Sequence, residues 1–136
     1  MSDHDKYIAQ LIKLRDLLYA LHLKTVRPWE MEPIHKRSSD FHDALLDPQD
    51  KLQEYNIGLG TSPVLSFKDA ERLTSFIPTE GLSTQDCLNA VRSAYKQLLT
   101  DVQMYIGSPS FGKHIPVQDT FTGLAEMLFD QLNKLS

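Results

Sequence analysis

The segment IHKRSSDFHDALLDPQDKLQEYNIGLGTSP, residues 34–63, contains most of one long predicted helix and three candidate metal ligands. We expect this helix to begin near Pro33, because proline is tolerated in the first turn of a helix. It is expected to run to about Ile57, where the glycines and the proline of GLGTSP supply a C-terminal cap and a stop. Pro48 lies inside the helix and should kink it, since proline has no N–H group to donate to the residue four positions earlier.

Apolar residues on both sides of this segment recur with the spacing of three and four that is typical of amphipathic helices. Three further long helices are predicted, over residues 7–21, 83–106 and about 117–135. Ser83 or Thr84 opens the third long helix. A short helix in SFKDAERLTSFI, residues 66–77, is expected between the second and third long helices, with Ser66 as its N-cap. No segment alternates as a strand does, so the sequence predicts an all-α four-helix bundle with a short extra helix, in one domain over residues 1–136.

The bulk composition is typical of a soluble globular chain, with 41% hydrophobic and 24% charged residues among 136. No apolar run approaches the roughly 20 residues that a membrane-spanning helix needs, and the N-terminus has no signal-peptide pattern. Because Cys87 is the single cysteine and cannot form an internal disulfide, we expect a cytoplasmic protein. The net charge of −4 gives no attraction to phosphate backbones, so DNA binding is not expected.

Four residues are candidate metal ligands. Asp50 and Glu54 lie one helical turn apart, so their carboxylates share a helix face. Such a pair is more often a set of solvated surface charges than a metal site. His22 ends the first helix, where a positive charge is favourable and a purely structural role is common. His35 opens the second helix, where a neutral imidazole or a ligand is favoured over a cation. Together, two imidazoles and two carboxylates form a donor set that suits iron.

The spacing of these residues excludes a site within one chain. Asp50 follows His35 by fifteen residues, which is about 22 Å along a helix, whereas ligands lie about 2 Å from their metal. If the second helices of two copies pack antiparallel about a two-fold axis, the histidines of one protomer face the carboxylates of the other. The sequence therefore predicts a dimer as the smallest active unit. His42 is interpreted as a partly exposed helix residue, and His4 and His114 as histidines without a partner at ligand spacing.

These residues resemble the pattern of the Dps-type mini-ferritins, the DNA-binding proteins from starved cells, in the ferritin-like superfamily. In that family a histidine ends the first helix, a second follows about a dozen residues later, and an acidic run lies about fifteen residues further on. Here HLKTVRP supplies His22, IHKRSSDF supplies His35, and DKLQEYNIGLGTSP supplies Asp50 and Glu54. The short predicted helix in SFKDAERLTSFI occupies the place of the family's extra helix.

The resemblance implies a ferritin-like bundle that assembles into a hollow homo-oligomeric shell, usually a dodecamer. It also implies ferroxidase centres at the two-fold interfaces. His22 and His35 of one protomer would bind Fe(II), Asp50 would bind or bridge iron, and Glu54 would complete the site from the facing protomer. Peroxide or dioxygen would oxidise the iron, and the ferric product would be stored as a mineral, which protects against oxidative stress.

Departures from the family pattern keep a second interpretation open. Leu23 stands where the family has a tryptophan after the first histidine, and Ser39 stands where an acidic residue often follows the second histidine. The loop between the two histidines is also longer than usual. The alternative is a ferritin-like shell or interaction module with a vestigial metal site and no catalysis.

Overall fold

A computed structural model describes residues 4–27, 31–59 and 66–136 of the protein. All regular elements in this part of the chain are helical, so the predicted all-α class is confirmed there. The elements are α1 (Asp5–Lys24), α2 (Glu32–Ala44), α3 (Leu46–Gly58), α4 (Phe67–Leu73), α5 (Thr84–Ile106) and α6 (Ile115–Leu135), with a 3₁₀ turn over Pro109–Lys113.

Three predicted helix starts are confirmed by their first turns. The Ser66 hydroxyl accepts a hydrogen bond from the Asp69 N–H, and the Asp69 carboxylate accepts one from the Ser66 N–H, which is a capping box at the start of α4. The Ser83 side chain accepts a hydrogen bond from the Asp86 N–H at the start of α5. Pro33 lies in the first turn of α2.

The predicted second long helix is two helices that meet at Leu45. The break lies ahead of Pro48, which has no N–H group to donate to the Ala44 carbonyl. Leu45 is fully buried, so the joint between α2 and α3 is held in the core. Leu45 keeps helical backbone angles, and hydrogen bonds from its N–H to Phe41 and from the Gln49 N–H to Leu45 continue through the joint. The predicted helix therefore has a local break at Leu45, ahead of Pro48, where the sequence predicts a kink.

Other helix boundaries differ from the predicted ones by a few residues. The helix α3 ends at Gly58, whereas Gly60 and Pro63 of the predicted GLGTSP cap lie outside the described residues. The short helix α4 ends at Leu73, before the end of the predicted segment. The last helix begins at Ile115, two residues before the predicted start, with a proline in its first turn.

Hydrogen bonds between helices define their directions. His22 at the end of α1 meets His35 near the start of α2, so these two helices are antiparallel. The Lys24 Nζ at the end of α1 donates to the Leu82 carbonyl just before α5. The Arg92 Nε in the first half of α5 donates a hydrogen bond to the carbonyl of Leu135, the last residue of α6. The Arg15 Nε in α1 donates to the His42 carbonyl near the end of α2, and the Asn56 Nδ2 at the end of α3 donates to the Asp5 Oδ1 at the start of α1. Therefore α1 and α6 run in one direction, and α2, α3 and α5 run in the other. The connection between α3 and α5, which carries α4 against α1, crosses the length of the bundle.

The hydrophobic core lies between α1, α2 with α3, α5 and α6, and most of its side chains are leucine or aromatic. Its largest fully buried side chains include Leu14, Leu18, Leu21, Leu45, Leu52, Tyr95, Phe121 and Leu124. The Tyr95 Oη on α5 donates a buried hydrogen bond to the Gln131 Oε1 on α6 at 2.8 Å. Within the three described ranges, no helix combines the length and the apolar character that crossing a membrane requires.

Candidate metal centre

His22 and His35 form a reciprocal pair where α1 ends and α2 begins. The Nδ1 of His22 lies 2.9 Å from the backbone oxygen of His35, and the Nδ1 of His35 lies 2.8 Å from the backbone oxygen of His22. The two rings stack, with centroids 4.0 Å apart and planes inclined by 14°. Both side chains are half-buried. The two imidazoles that the sequence predicts as ligands are therefore neighbours in one chain.

These hydrogen bonds define the tautomer of both rings. A carbonyl oxygen only accepts hydrogen bonds, so the Nδ1 atoms of His22 and His35 both carry hydrogen. In a neutral imidazole the Nε2 atom then presents a lone pair. Histidines that bind metals usually donate their other ring N–H to a carbonyl or a carboxylate, which fixes the ring orientation. The pair therefore has the tautomer and the restraint that a metal ligand needs.

Two hydroxyl groups form hydrogen bonds at the same junction between the end of α1 and the start of α2. Buried Thr25 donates from Oγ1 to the Leu21 carbonyl at 2.7 Å, and its Oγ1 lies 3.4 Å from the Nδ1 of His35. The Ser38 Oγ donates to the His35 carbonyl at 2.9 Å, so that carbonyl accepts from both Ser38 and His22. The His22 carbonyl belongs to the last turn of α1, where carbonyls lack partners within the helix. The His35 ring therefore also caps α1.

The two candidate carboxylates lie on a different part of the chain. Asp50 and Glu54 are exposed on α3, one turn apart, and so share its outer face. Neither makes a hydrogen bond or an ion pair within the described ranges, whereas Lys51 between them pairs with Asp47 at 3.1 Å. Among the described residues, no group of three or more histidine, cysteine, aspartate or glutamate side chains is placed to hold a metal. One protomer thus supplies a pair of imidazoles, and the four-residue site across a two-fold axis stays a prediction.

A second histidine contact lies at the opposite end of the bundle. His4 is 1% exposed, and its Nε2 lies 2.9 Å from the Tyr105 Oη. Its ring meets His114 edge to face, with centroids 4.7 Å apart, and the Nδ1 of His114 lies 3.2 Å from the Tyr55 Oη. Sequence spacing alone misses these contacts, because they join the ends of α1, α3, α5 and α6. His42 is partly exposed, as predicted.

The described geometry offers two imidazoles whose Nδ1 atoms are hydrogen-bonded to carbonyl oxygens and, on another surface, two exposed carboxylates. Comparisons with models of protein families, with curated proteins and with solved structures found no match to this chain. Imidazole nitrogen suits iron, zinc and copper, and the combination of imidazole with carboxylate is typical of non-haem iron. Within one described chain the two imidazoles and the two carboxylates do not come together, so an iron site built from all four stays a prediction.

Proposed function

We propose that the protein is a Dps-type mini-ferritin that oxidises and stores iron in the cytoplasm, with ferroxidase centres between protomers. The observation that carries this proposal is the reciprocal hydrogen bonding of His22 and His35, which leaves both Nε2 atoms for metal. The topology supports it, because a single long crossover is the connection of ferritin-like bundles. The crossover here lies between α3 and α5 and carries the capped helix α4.

In this proposal Fe(II) is the substrate. The imidazoles of His22 and His35 bind Fe(II), and the carboxylates of Asp50 and Glu54 from the facing protomer add oxygen donors that favour the ferric state. Two Fe(II) ions supply the two electrons that, with two protons, reduce one peroxide to two waters. With dioxygen as the oxidant, four Fe(II) ions and four protons are needed to give two waters. The ferric product then enters the interior of a shell of about twelve subunits, and the oxidant is consumed without free radicals.

Oxidation of added Fe(II) tests the proposed site. Aerobic addition of Fe(II) to metal-free protein should produce ferric absorbance, and His35→Ala or Glu54→Ala should slow its appearance by about 10-fold or more, since each removes a ligand. His42→Ala on α2 and Glu126→Ala on α6 are matched controls, because they remove the same groups elsewhere on the bundle. Equal rates in the parent, His35→Ala and Glu54→Ala would overturn the proposal.

The same hydrogen bonds favour a second candidate function. His22 and His35 join the end of α1 to the start of α2, and this structural role needs no metal. The protein would then be a helical shell or interaction module without catalysis. Metal analysis of protein purified without chelators separates the two functions. A ferroxidase should contain iron, and the double substitution of His22 and His35 by alanine should remove that iron. An interaction module should contain no iron in either form.

A further inference from the structure

A cavity of about 450 Å³ lies between α2 and the last turn of α6. It is lined by Pro33, Lys36, Arg37, Asp40, Phe41 and Lys134. Its volume is within the range of about 300–1,000 Å³ that sites for small organic molecules occupy. None of its lining residues belongs to the proposed metal centre, so the cavity needs its own explanation.

The cavity is cationic in a chain of net charge −4, because its lining carries three positive residues and one negative residue. The Lys134 Nζ lies 3.1 Å from the Asp130 carboxylate, which partly neutralises it. Lys36 is exposed and has no ion pair in the described part of the chain. It lies in the second turn of α2, and helix dipoles favour cations at the opposite end of a helix. Lys36 is therefore a cation beside the cavity that makes no ion pair, and the carboxylate in the same lining is that of Asp40, one turn later on α2.

Arg37 is held in place by the neighbouring helix. Its Nη1 donates to the backbone carbonyl of Lys134 at 2.9 Å, and that carbonyl lies in the last turn of α6, where partners within the helix are lacking. A guanidinium has five N–H donors in one rigid plane, so this bond orients the group and leaves donors for a ligand. An oriented guanidinium matches the geometry of phosphate and carboxylate groups.

Two of the remaining lining residues are apolar, Phe41 and Pro33. Phe41 is 9% exposed and belongs to the hydrophobic core, and Pro33 has the restrained backbone of the first turn of α2. Asp40 adds one negative charge to the lining, which opposes ligands of high negative charge such as nucleic acids. We propose that this cavity binds a small organic anion in which one phosphate or carboxylate group is attached to a flat ring. Lys36 and Arg37 contact the anionic group, and Phe41 and Pro33 contact the ring.

This inference is independent of the proposed iron chemistry, and its test excludes metal. Calorimetric titration of the protein with phenyl phosphate, at low salt and in the presence of a metal chelator, should show one binding site per chain. Lys36→Gln and Arg37→Gln should each weaken binding by about 10-fold, which is the effect of losing one hydrogen bond to a charged group. Lys51→Gln, which removes the same charge from exposed α3, is the matched control and should bind as the parent does.

Two comparisons on the unaltered protein complete the test. Neutral benzyl alcohol and inorganic phosphate should each bind at least about 10-fold more weakly than phenyl phosphate, because each lacks one half of the recognised chemistry. The NMR signals of the Phe41 ring should shift with phenyl phosphate. The inference is overturned if phenyl phosphate does not bind, if Lys36→Gln and Lys51→Gln bind it equally, or if the Phe41 signals do not move.

Discussion

The Nδ1–H group of His35 donates to a carbonyl in the last turn of α1, and the Nδ1–H group of His22 donates to a carbonyl of α2. At the residue scale, the packing of two helices thus selects the tautomer of two side chains. Because both Nδ1 atoms are used, the Nε2 atoms are the available donors. The proposed metal chemistry therefore depends on the same bonds that join α1 to α2.

The buried contact between Tyr95 and Gln131 gives a prediction at the residue scale. The Tyr95 Oη donates to the Gln131 Oε1 at 2.8 Å, and burial raises the pKa of Tyr95, so the phenol keeps its hydrogen at neutral pH. Tyr95→Phe leaves a buried acceptor without its donor and should lower the free energy of unfolding by about 1–2 kcal/mol, measured by urea denaturation. Tyr19→Phe, at a side chain that is 54% exposed, should change it by less than about 0.5 kcal/mol. Equal effects of the two substitutions would contradict this account.

The interruption at Leu45 is the main feature at the scale of the elements. Pro48 removes one backbone donor, and buried Leu45 holds the joint in the core. Asp50 and Glu54 lie on α3, beyond this joint, whereas His35 lies on α2 before it. Because Leu45 keeps helical backbone angles, α3 follows α2 across the joint, and it also packs against α6.

The capping box of α4 predicts a pH dependence of that element. The hydrogen bonds from Ser66 hold the pKa of Asp69 below its ordinary value of 3.8. Because the pKa is lower in the folded state, the contribution of Asp69 to the stability of α4 is fully present above the ordinary value. It is lost as the pH falls through the folded-state pKa. The helical Cα chemical shifts of α4 should therefore weaken as the pH falls below about 4.

The start of α5 is an internal control for this measurement. Ser83 caps α5 by accepting a hydrogen bond from the Asp86 N–H, without the reciprocal carboxylate bond that α4 has. The shifts of α5 should change less over the same pH range. In Ser66→Ala, α4 should be less helical at neutral pH and its pH dependence should be reduced. A pH response of α4 that is the same in the parent and in Ser66→Ala would show that the capping box is not its cause.

At the scale of the whole molecule, the crossover decides which groups share an end of the bundle. The ends of α1 and α6 meet the starts of α2 and α5, so the pair His22 and His35 lies at the same end as Arg37 and Lys134. The carboxylates of α3 lie toward the other end. A second protomer is therefore needed for the proposed four-ligand centre.

Complementation between two inactive variants tests this requirement. One variant carries His22→Ala with His35→Ala, and the other carries Asp50→Ala with Glu54→Ala. After unfolding and joint refolding, each heterodimer has one intact centre and one centre without ligands, so random pairing restores about one quarter of the centres. The iron oxidation rate should recover to about that fraction of the parent rate. Mixing the two folded variants without exchange of protomers should restore no iron oxidation. If mass spectrometry shows heterodimers and the oxidation rate still does not recover, a shared site is ruled out.

The sequence by itself determined the helices of this protein and where most of them start. Apolar spacing, the serine caps of α4 and α5 and the proline of α2 are local features, so their effects can be inferred from neighbouring residues. It also indicated His22 and His35 as candidate ligands. Only the tertiary structure decided that the rings of these two histidines stack, that His4 meets His114, and that Arg37 reaches α6 to border a cavity. These contacts join residues from different helices, and their geometry follows from helix directions and packing that periodicity does not encode.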